Sequence, residues 1–483
     1  MKQFAWKAAF AALALTTITS SKAMAQRQGA NIDPQETYVL EVGNEMVTLS
    51  DFKHVYGKNN RDSVYTIEAL DEYMKLFVNF KLKVLEAEAI GMDTVTAFKK
   101  ELAGYRTQLA RPYLVDGDLL DALVDQAFER KRTEVRASHM LINVDANAAP
   151  ADTLNAWNRI QALRQRVENG EDFETVARSK GGSEDPSVTT NGGDLGWFTA
   201  FQMVYPFENA AFTTDEGEVS KIVRTRFGYH ILKVTGKRKA RGEVQVAHIM
   251  VRMPQDAPQD QVANAEGRIM EVKRKLIDGA SFESMAMKYS EDPSTANKGG
   301  LLPRFGTGKM VEAFENAAFA MNQIGDITGP VRTNYGFHIL KLIDKKTLPT
   351  LEESRRELSK KVRRDSRAEI TKTSFVNKLK KEYGTSVSSR RLDALKLAAV
   401  GIDSLFYSGH PLEGLRRSEL SRTLFSVAGK DYTVQDFVTW ANAGKVRNLN
   451  RPNAMLVTQE VDRFVDESLL AYEDTQLEAK HDD

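Results

Sequence analysis

Seven histidines occur in the chain, and four of them fall in a stretch written twice. They are His139 and His230, then His248 and His338. Each pair is accompanied by one aspartate before a proline, Asp185 or Asp292. Two imidazoles and a carboxylate can hold a metal, activate a serine, or sit buried and bonded to each other and to backbone. A metal site is disfavoured, because the three positions are spread along each copy with no i,i+4 pair on a helix, no cysteine and no fourth ligand. A serine hydrolase is disfavoured too, because no G-x-S-x-G elbow is present. A buried pair is the default for a single histidine in a strand. Yet residues 227–232 read FGYHIL and residues 335–340 read YGFHIL. Glycine weakens a strand unless backbone or ligand needs the room, so two copies suggest a repeated unit with a task.

The elements that must position these groups repeat as well. Arg136-Ala137-Ser138-His139-Met140-Leu141-Ile142 answers Gln245-Val246-Ala247-His248-Ile249-Met250-Val251, and Ser183-Glu184-Asp185-Pro186-Ser187 answers Ser290-Glu291-Asp292-Pro293-Ser294. Asn191-Gly192-Gly193-Asp194-Leu195 answers Lys298-Gly299-Gly300-Leu301, and Phe207 to Phe212 recurs unchanged as Phe314 to Phe319. A period of about a hundred residues is the size of a small domain, not of a solenoid repeat. Two tandem copies are therefore expected at 133–237 and 241–346, joined by a basic segment from Lys237 to Gly242. In each, a strand carries the first histidine. A helix follows, with Leu154, Trp157, Ile160, Leu163 and Val167, or Val262, Ala265, Ile269, Val272 and Leu276, at three- and four-residue steps. Asp172 or Ser281 then caps a second helix, a glycine-rich loop and the Phe207 or Phe314 helix come next, and two strands end the copy. The pattern is α+β, an antiparallel sheet flanked by helices.

The flanks read as mainly helical, 26–132 before the copies and 347–483 after them. The charged run over 350–383 reads as a solvated helix face. A short likeness links the ends: Val42 to Phe52 and Val427 to Phe437 both read as strand, turn and capped helix start. Residues 1–25 have a basic start, an apolar stretch from Ala8 to Ile18 and an Ala23-Met24-Ala25 site, so they read as a secretory signal cleaved after Ala25. Removing its three lysines from 67 basic residues leaves a nearly neutral chain against 66 acidic ones, with no charge excess to favour nucleic acid. No later stretch approaches a membrane span. With no cysteine, an exported chain must take its stability from its cores, and thiol chemistry is excluded. A periplasmic location is expected.

Together, the histidine strands, the Ser-Glu-Asp-Pro segment, Gly192-Gly193-Asp194-Leu195-Gly196, the Phe207 helix and Phe227-Gly228-Tyr229-His230 resemble a parvulin-type (PpiC, rotamase) peptidyl-prolyl isomerase domain. The second copy repeats them. With the signal segment and helical ends, the whole is similar to SurA-type periplasmic chaperones of outer-membrane proteins. The resemblance implies a four-stranded antiparallel sheet per copy. It places His139 with His230, and His248 with His338, side by side beneath the site. It puts Asp185 and Asp292 at the family's Cys or Asp position, and Thr225 and Thr333 at its hydroxyl position. It makes Leu195, Met203 and Phe207, and Leu301, Met310 and Phe314, the apolar proline pockets. It implies no metal and no cofactor. The partners would be unfolded or partly folded exported polypeptides with X-Pro bonds, with no nucleic acid and no stable membrane insertion.

The chemistry suits these residue types. Rotating an X-Pro bond crosses a barrier of roughly 18–20 kcal/mol without breaking a covalent bond. A site must grip the ring, exclude water and bind the twisted amide better than either planar form. Met and Phe offer a ring-sized apolar socket, and the histidines serve as buried orienting groups rather than proton shuttles. The copies are unequal: copy two reads Gly300-Leu301-Leu302 against Gly193-Asp194-Leu195-Gly196. Neither copy has a basic cluster after its first strand, so phosphopeptide preference is not expected. A chaperone that binds unfolded chains with little catalysis is the rival reading.

Overall fold

The computed structural model describes residues 37–43, 45–59, 66–400, 415–445 and 453–481; the expected signal segment and cleavage site lie outside them. The chain divides into two units, one ending at Tyr113 and the other starting at Leu114.

In the first unit, β1 (Tyr38–Val42) and β2 (Glu45–Thr48) form an antiparallel hairpin. Thr48 and Asp51 then start helix Leu49–Asn59: Asp51 N–H donates to the Thr48 hydroxyl at 3.0 Å, and Thr48 N–H donates back to the Asp51 carboxylate at 3.3 Å. Helix Ile67–Ala89 closes a small core of Val47, Phe52, Tyr56 and Phe77, with Phe52 edge-on to Phe77. Helix Thr96–Ala110 follows.

The second unit begins with helix Gly117–Lys131, whose Leu120, Leu123 and Val124 pack on Leu358 and Val362 of helix Leu351–Val362. Between them in sequence come the two copies. Copy one contains β3 (Thr133–Asn143), β4 (Asp194–Phe198), β5 (Val223–Thr225) and β6 (Gly228–Lys239), arranged β4-β3-β6-β5 and antiparallel throughout. Strand alternation sorts its side chains onto two faces. Met140, Ile142 and Ile231 face helices Pro150–Glu168 and Phe173–Arg178. Val135, Ala137, Leu232 and Val234 face helix Tyr205–Thr213 through Phe207 and Ala211. His139 and His230 share the parity of this second face.

Copy two repeats the plan with β7 (Glu243–Arg252), β8 (Val331–Thr333) and β9 (Gly336–Lys346), ordered β7-β9-β8. Its fourth strand is reduced to two isolated bridges, Val244 with Phe305 and Ala247 with Leu301. The residues between explain this. Copy one bends β4 through Gly196 at φ 66, whereas copy two has Pro303, whose ring forbids that conformation and removes a donor. Helices Gln259–Ile277, Phe282–Tyr289 and Glu312–Ala320 cover the sheet as in copy one.

The charged stretch after copy two forms helices Leu351–Val362 and Arg367–Glu382, the first with a Thr350–Glu353 capping box. It is not wholly solvated: Arg367 is completely buried. Then come helix Ser389–Val400, β10 (Thr423–Val427), β11 (Lys430–Thr433), helix Val434–Trp440 and the long helix Asn453–Lys480, packed around Phe425, Phe437 and Phe464. The hairpin likeness of the two ends is structural. Tyr38–Thr48, Leu40–Val47 and Val42–Glu45 pair as do Thr423–Thr433, Phe425–Tyr432 and Val427–Lys430, with the same irregularity near the first pair. Among the described residues no helix is long and apolar enough to cross a membrane.

Candidate active sites

The hairpin register explains how residues 91 and 90 positions apart meet. His139 pairs with Leu232 and Leu141 with His230, so the two histidines are diagonal neighbours on one sheet face. Their rings lie nearly parallel with centroids 5.8 Å apart. In copy two, His248 opposite Leu340 and Met250 opposite His338 give the same diagonal and a 5.7 Å separation. The aromatic lid is shared as well. Phe207 stands edge-on to His139 and His230 at 5.6 and 5.4 Å, and Phe314 to His248 and His338 at 5.8 and 5.3 Å. All four histidines are about 5% exposed or less.

The hexamer glycines follow from this packing. Gly228 and Gly336 hold φ of 154 and 137, and a Cβ on either would collide with the carbonyl of Ile142 or Val251 in the facing strand. Glycine thus lets the neighbouring strand close, and closure delivers the histidine two residues later.

Thr225 accepts the Phe227 N–H at 3.1 Å, and its hydroxyl is hydrogen-bonded to His230 Nε2 at 2.8 Å. Thr333 repeats this with the Tyr335 N–H at 3.1 Å and His338 Nε2 at 2.8 Å. Burial, then the neighbouring histidine, pushes His230 and His338 down to about 4. Both are neutral near pH 7. Burial also lowers His139, against the pull of Asp185.

The carboxylates sit at the other end of the row. Asp185 Oδ2 lies 3.0 Å from His139 Nε2, which has no other partner, and His139 Nδ1 has none. Asp185 Oδ1 accepts the backbone N–H and hydroxyl of Ser187 at 2.8 and 2.7 Å. Asp292 Oδ2 accepts from His248 Nε2, at 2.9 Å. Burial pushes both carboxyls up, but these hydrogen bonds outweigh it and hold both below the usual carboxylate range.

The apolar residues divide differently in the two copies. Leu195 and Met203 pack on the Phe207 cluster. Met310 packs on the Phe314 cluster, but its leucine partner is Leu302; Leu301 is 42% exposed. Sequence reading also missed Glu208 and Glu315, the second residue of each repeated helix motif. Both are buried. Glu208 accepts the Phe201 N–H and Glu315 the Gly308 N–H, each at 2.8 Å and each two residues before the pocket methionine. They clamp the loops that carry Met203 and Met310. Arg130 at 3.1 Å and Arg367 neutralise Glu208, and Arg241 at 2.5 Å neutralises Glu315. Phe201 holds φ 68 where copy two has Gly308 at φ 77, and its ring lies 4.5 Å from the Arg367 guanidinium. An acid repeated inside an apolar helix was the available signal. Among the described residues no cluster of three His, Cys, Asp or Glu could hold a metal.

Each site is a mostly buried row of carboxylate, imidazole, imidazole and hydroxyl beneath an aromatic and a methionine. It offers no nucleophile. It can hold an apolar ring and keep fixed dipoles against an amide that loses its resonance.

Comparison with known proteins agrees with this geometry. Two matches to the PPIC-type PPIase domain cover residues 125–238 and 248–344. Chaperone SurA of Chromohalobacter salexigens is 29% identical over 259 residues, 52% of this chain and 58% of that one. Chaperone SurA of Methylobacillus flagellatus is 30% identical over 305 residues, 60% of this chain and 67% of that one. A crystal structure of the peptidylprolyl isomerase PrsA from Bacillus anthracis is 33% identical, covering 28% of this chain and 59% of that one, with a TM-score of 0.21. The matched stretch spans about three fifths of the length of the first curated relatives. With both copies matched and two thirds of a SurA chaperone covered, the chain belongs to the SurA-like family of PPIC-type parvulin proteins.

Proposed function

We propose that the protein is a peptidyl-prolyl cis–trans isomerase and a folding chaperone for exported, unfolded polypeptides, acting in the periplasm on clients that include outer-membrane proteins. The observation that carries this is the row His139, His230 and Asp185 beneath Phe207, rebuilt as His248, His338 and Asp292 beneath Phe314. In this reading the copies run from 133 to 237 and from 241 to 346. Phe207, Met203 and Leu195 take the proline ring in the first, and Phe314 and Met310 in the second. Leu302 replaces Leu301 as the leucine wall there, because it packs on the Phe314 cluster. Thr225 and Thr333 hold the second histidine of each pair, which stays neutral near pH 7. Planar amides bind without strain, while the twisted amide, with a more basic nitrogen and a less polarised carbonyl, gains from a dry, fixed surrounding.

The chaperone part has its own support in the first unit. Ile67, Leu76, Leu82, Ile90 and Leu109 are each more than half exposed there, which suits contact with unfolded apolar chains. The test is refolding of a proline-limited unfolded protein by the full chain, run beside suppression of its aggregation. We expect Met203→Ala with Met310→Ala to abolish the rate gain and leave aggregation suppression intact. Loss of neither, or of both in a folded variant, contradicts the division of labour.

A further inference from the structure

We propose that Thr295 is a positioning residue of the second site, tying Asp292 to His248 and fixing which nitrogen of His248 carries the proton. Val188 withholds that restraint from the first site. The two segments are the same up to this point, Ser183-Glu184-Asp185-Pro186-Ser187 and Ser290-Glu291-Asp292-Pro293-Ser294, and then diverge to Val188 and Thr295. Both side chains are buried, at 6% and 5% exposure. The Thr295 hydroxyl lies 2.5 Å from Asp292 Oδ2 and 3.0 Å from His248 Nε2. Val188 instead joins the apolar cluster of Met140 and Ile160.

The consequence runs along the whole row. The Thr295 hydroxyl donates to the carboxylate, and His248 Nε2–H donates to the same carboxylate oxygen at 2.9 Å. His248 Nδ1 then bears the lone pair. At 3.4 Å it accepts from His338 Nδ1–H, and that tautomer of His338 is the one whose Nε2 accepts from Thr333 at 2.8 Å. One consistent set of proton positions then runs from Asp292 to Thr333, with the Thr333 hydroxyl donating to His338 Nε2 at 2.8 Å in preference to the Gly336 carbonyl at 3.3 Å. Copy one lacks the threonine link: His139 Nε2 has only Asp185 Oδ2, 3.0 Å away, with no hydroxyl beside it, and His139 Nδ1 and His230 Nδ1 are not hydrogen-bonded to each other. Buried polar atoms are nearly always paired, and the copy with the threonine is the one whose two imidazoles are hydrogen-bonded to each other.

The structural claim stands by itself; its kinetic consequence rests on the isomerase reading. The test uses the full chain labelled with 15N-histidine, its ring signals assigned by single His→Gln variants, with two-bond spectra recorded at pH 7.5. His248 is expected as one Nε2–H tautomer. Thr295→Val should turn it into a mixture, Thr295→Ser should keep it, and Val188→Thr should impose one tautomer on His139. Isomerase rates are measured with Met203→Ala silencing the first site. In that background, Thr295→Val should lower kcat about tenfold with KM nearly unchanged, and Thr295→Ser should restore it. Unchanged His248 signals in Thr295→Val overturn the proposal. If that variant does not fold, unchanged His139 signals in Val188→Thr do the same. Changed signals with unchanged kcat remove the kinetic role. If the unmutated second site shows no turnover, the ring spectra still decide the structural claim, and the failure falls on the isomerase reading.

Discussion

The depressed histidines make each copy sensitive to mild acid, and the size can be worked out. A histidine with a folded pKa of about 4 and an unfolded one near 6.5 stays neutral in the fold while the unfolded chain takes a proton. Its contribution to stability is complete above pH 6.5 and is lost as pH falls toward 4, because the unfolded state then binds more protons. Between pH 7 and pH 5 the loss from His230 alone is about 2 kcal/mol. His338, also held at about 4, gives a similar loss in copy two. Asp185 and Asp292 are both held low. They work in the opposite range, below the ordinary carboxylate pKa, and do not confuse the window. The assay is native-state hydrogen exchange, corrected for intrinsic rates, read separately on β6 and β9. Opening free energies on β6 should fall by at least about 2 kcal/mol from pH 7 to pH 5, His139 adding to the loss from His230, and His230→Gln should flatten the slope on β6 while leaving that on β9 unchanged. A flat profile on both strands, or a slope indifferent to His230→Gln, would refute the burial argument.

Three further outcomes follow from the packing. Phe314→Ala empties the lid over both copy-two histidines and should cost about 3–5 kcal/mol, read as lost protection on β9 with β6 unaffected. Gly336→Ala places a Cβ against the Val251 carbonyl at φ 137 and should unfold copy two in circular dichroism, whereas Gly325→Ala, which meets nothing within 4 Å, should cost only its backbone strain. Arg367→Ala leaves Glu208 with less countercharge in a fully buried place and should cost about 3 kcal/mol in urea unfolding; adding Glu208→Gln should recover part of it, a non-additivity that two independent surface changes would not show.

The repeat made most of the site legible. His139 and His230 are 91 positions apart, yet writing one hexamer twice with only its aromatics exchanged tied each second histidine to a strand, and the first histidine to another. Alternation within those strands then put both rings on the Phe207 face. What stayed hidden depended on register or on a single atom. Leu301 and Leu302 differ by one position, and only the bridge to Ala247 shows which faces inward. Pro303 could have warned that the fourth strand of copy two would shrink, since the first copy needs a glycine at that bend. Thr295 against Val188 is an isosteric swap whose meaning appears only once the imidazole stands 3.0 Å away. Arg367 was hidden by its neighbours: a run of lysines and arginines reads as a solvated face, and nothing local tells that one guanidinium is buried against Glu208.

The central claim is tested most directly by exchange NMR on a short unphosphorylated X-Pro peptide with the full chain. The account predicts accelerated cis–trans exchange, reduced in Met203→Ala or Met310→Ala and abolished in the double variant, with both variants folded. No acceleration by the folded chain, or acceleration indifferent to both methionines, would contradict it and leave a peptide-binding chaperone in its place.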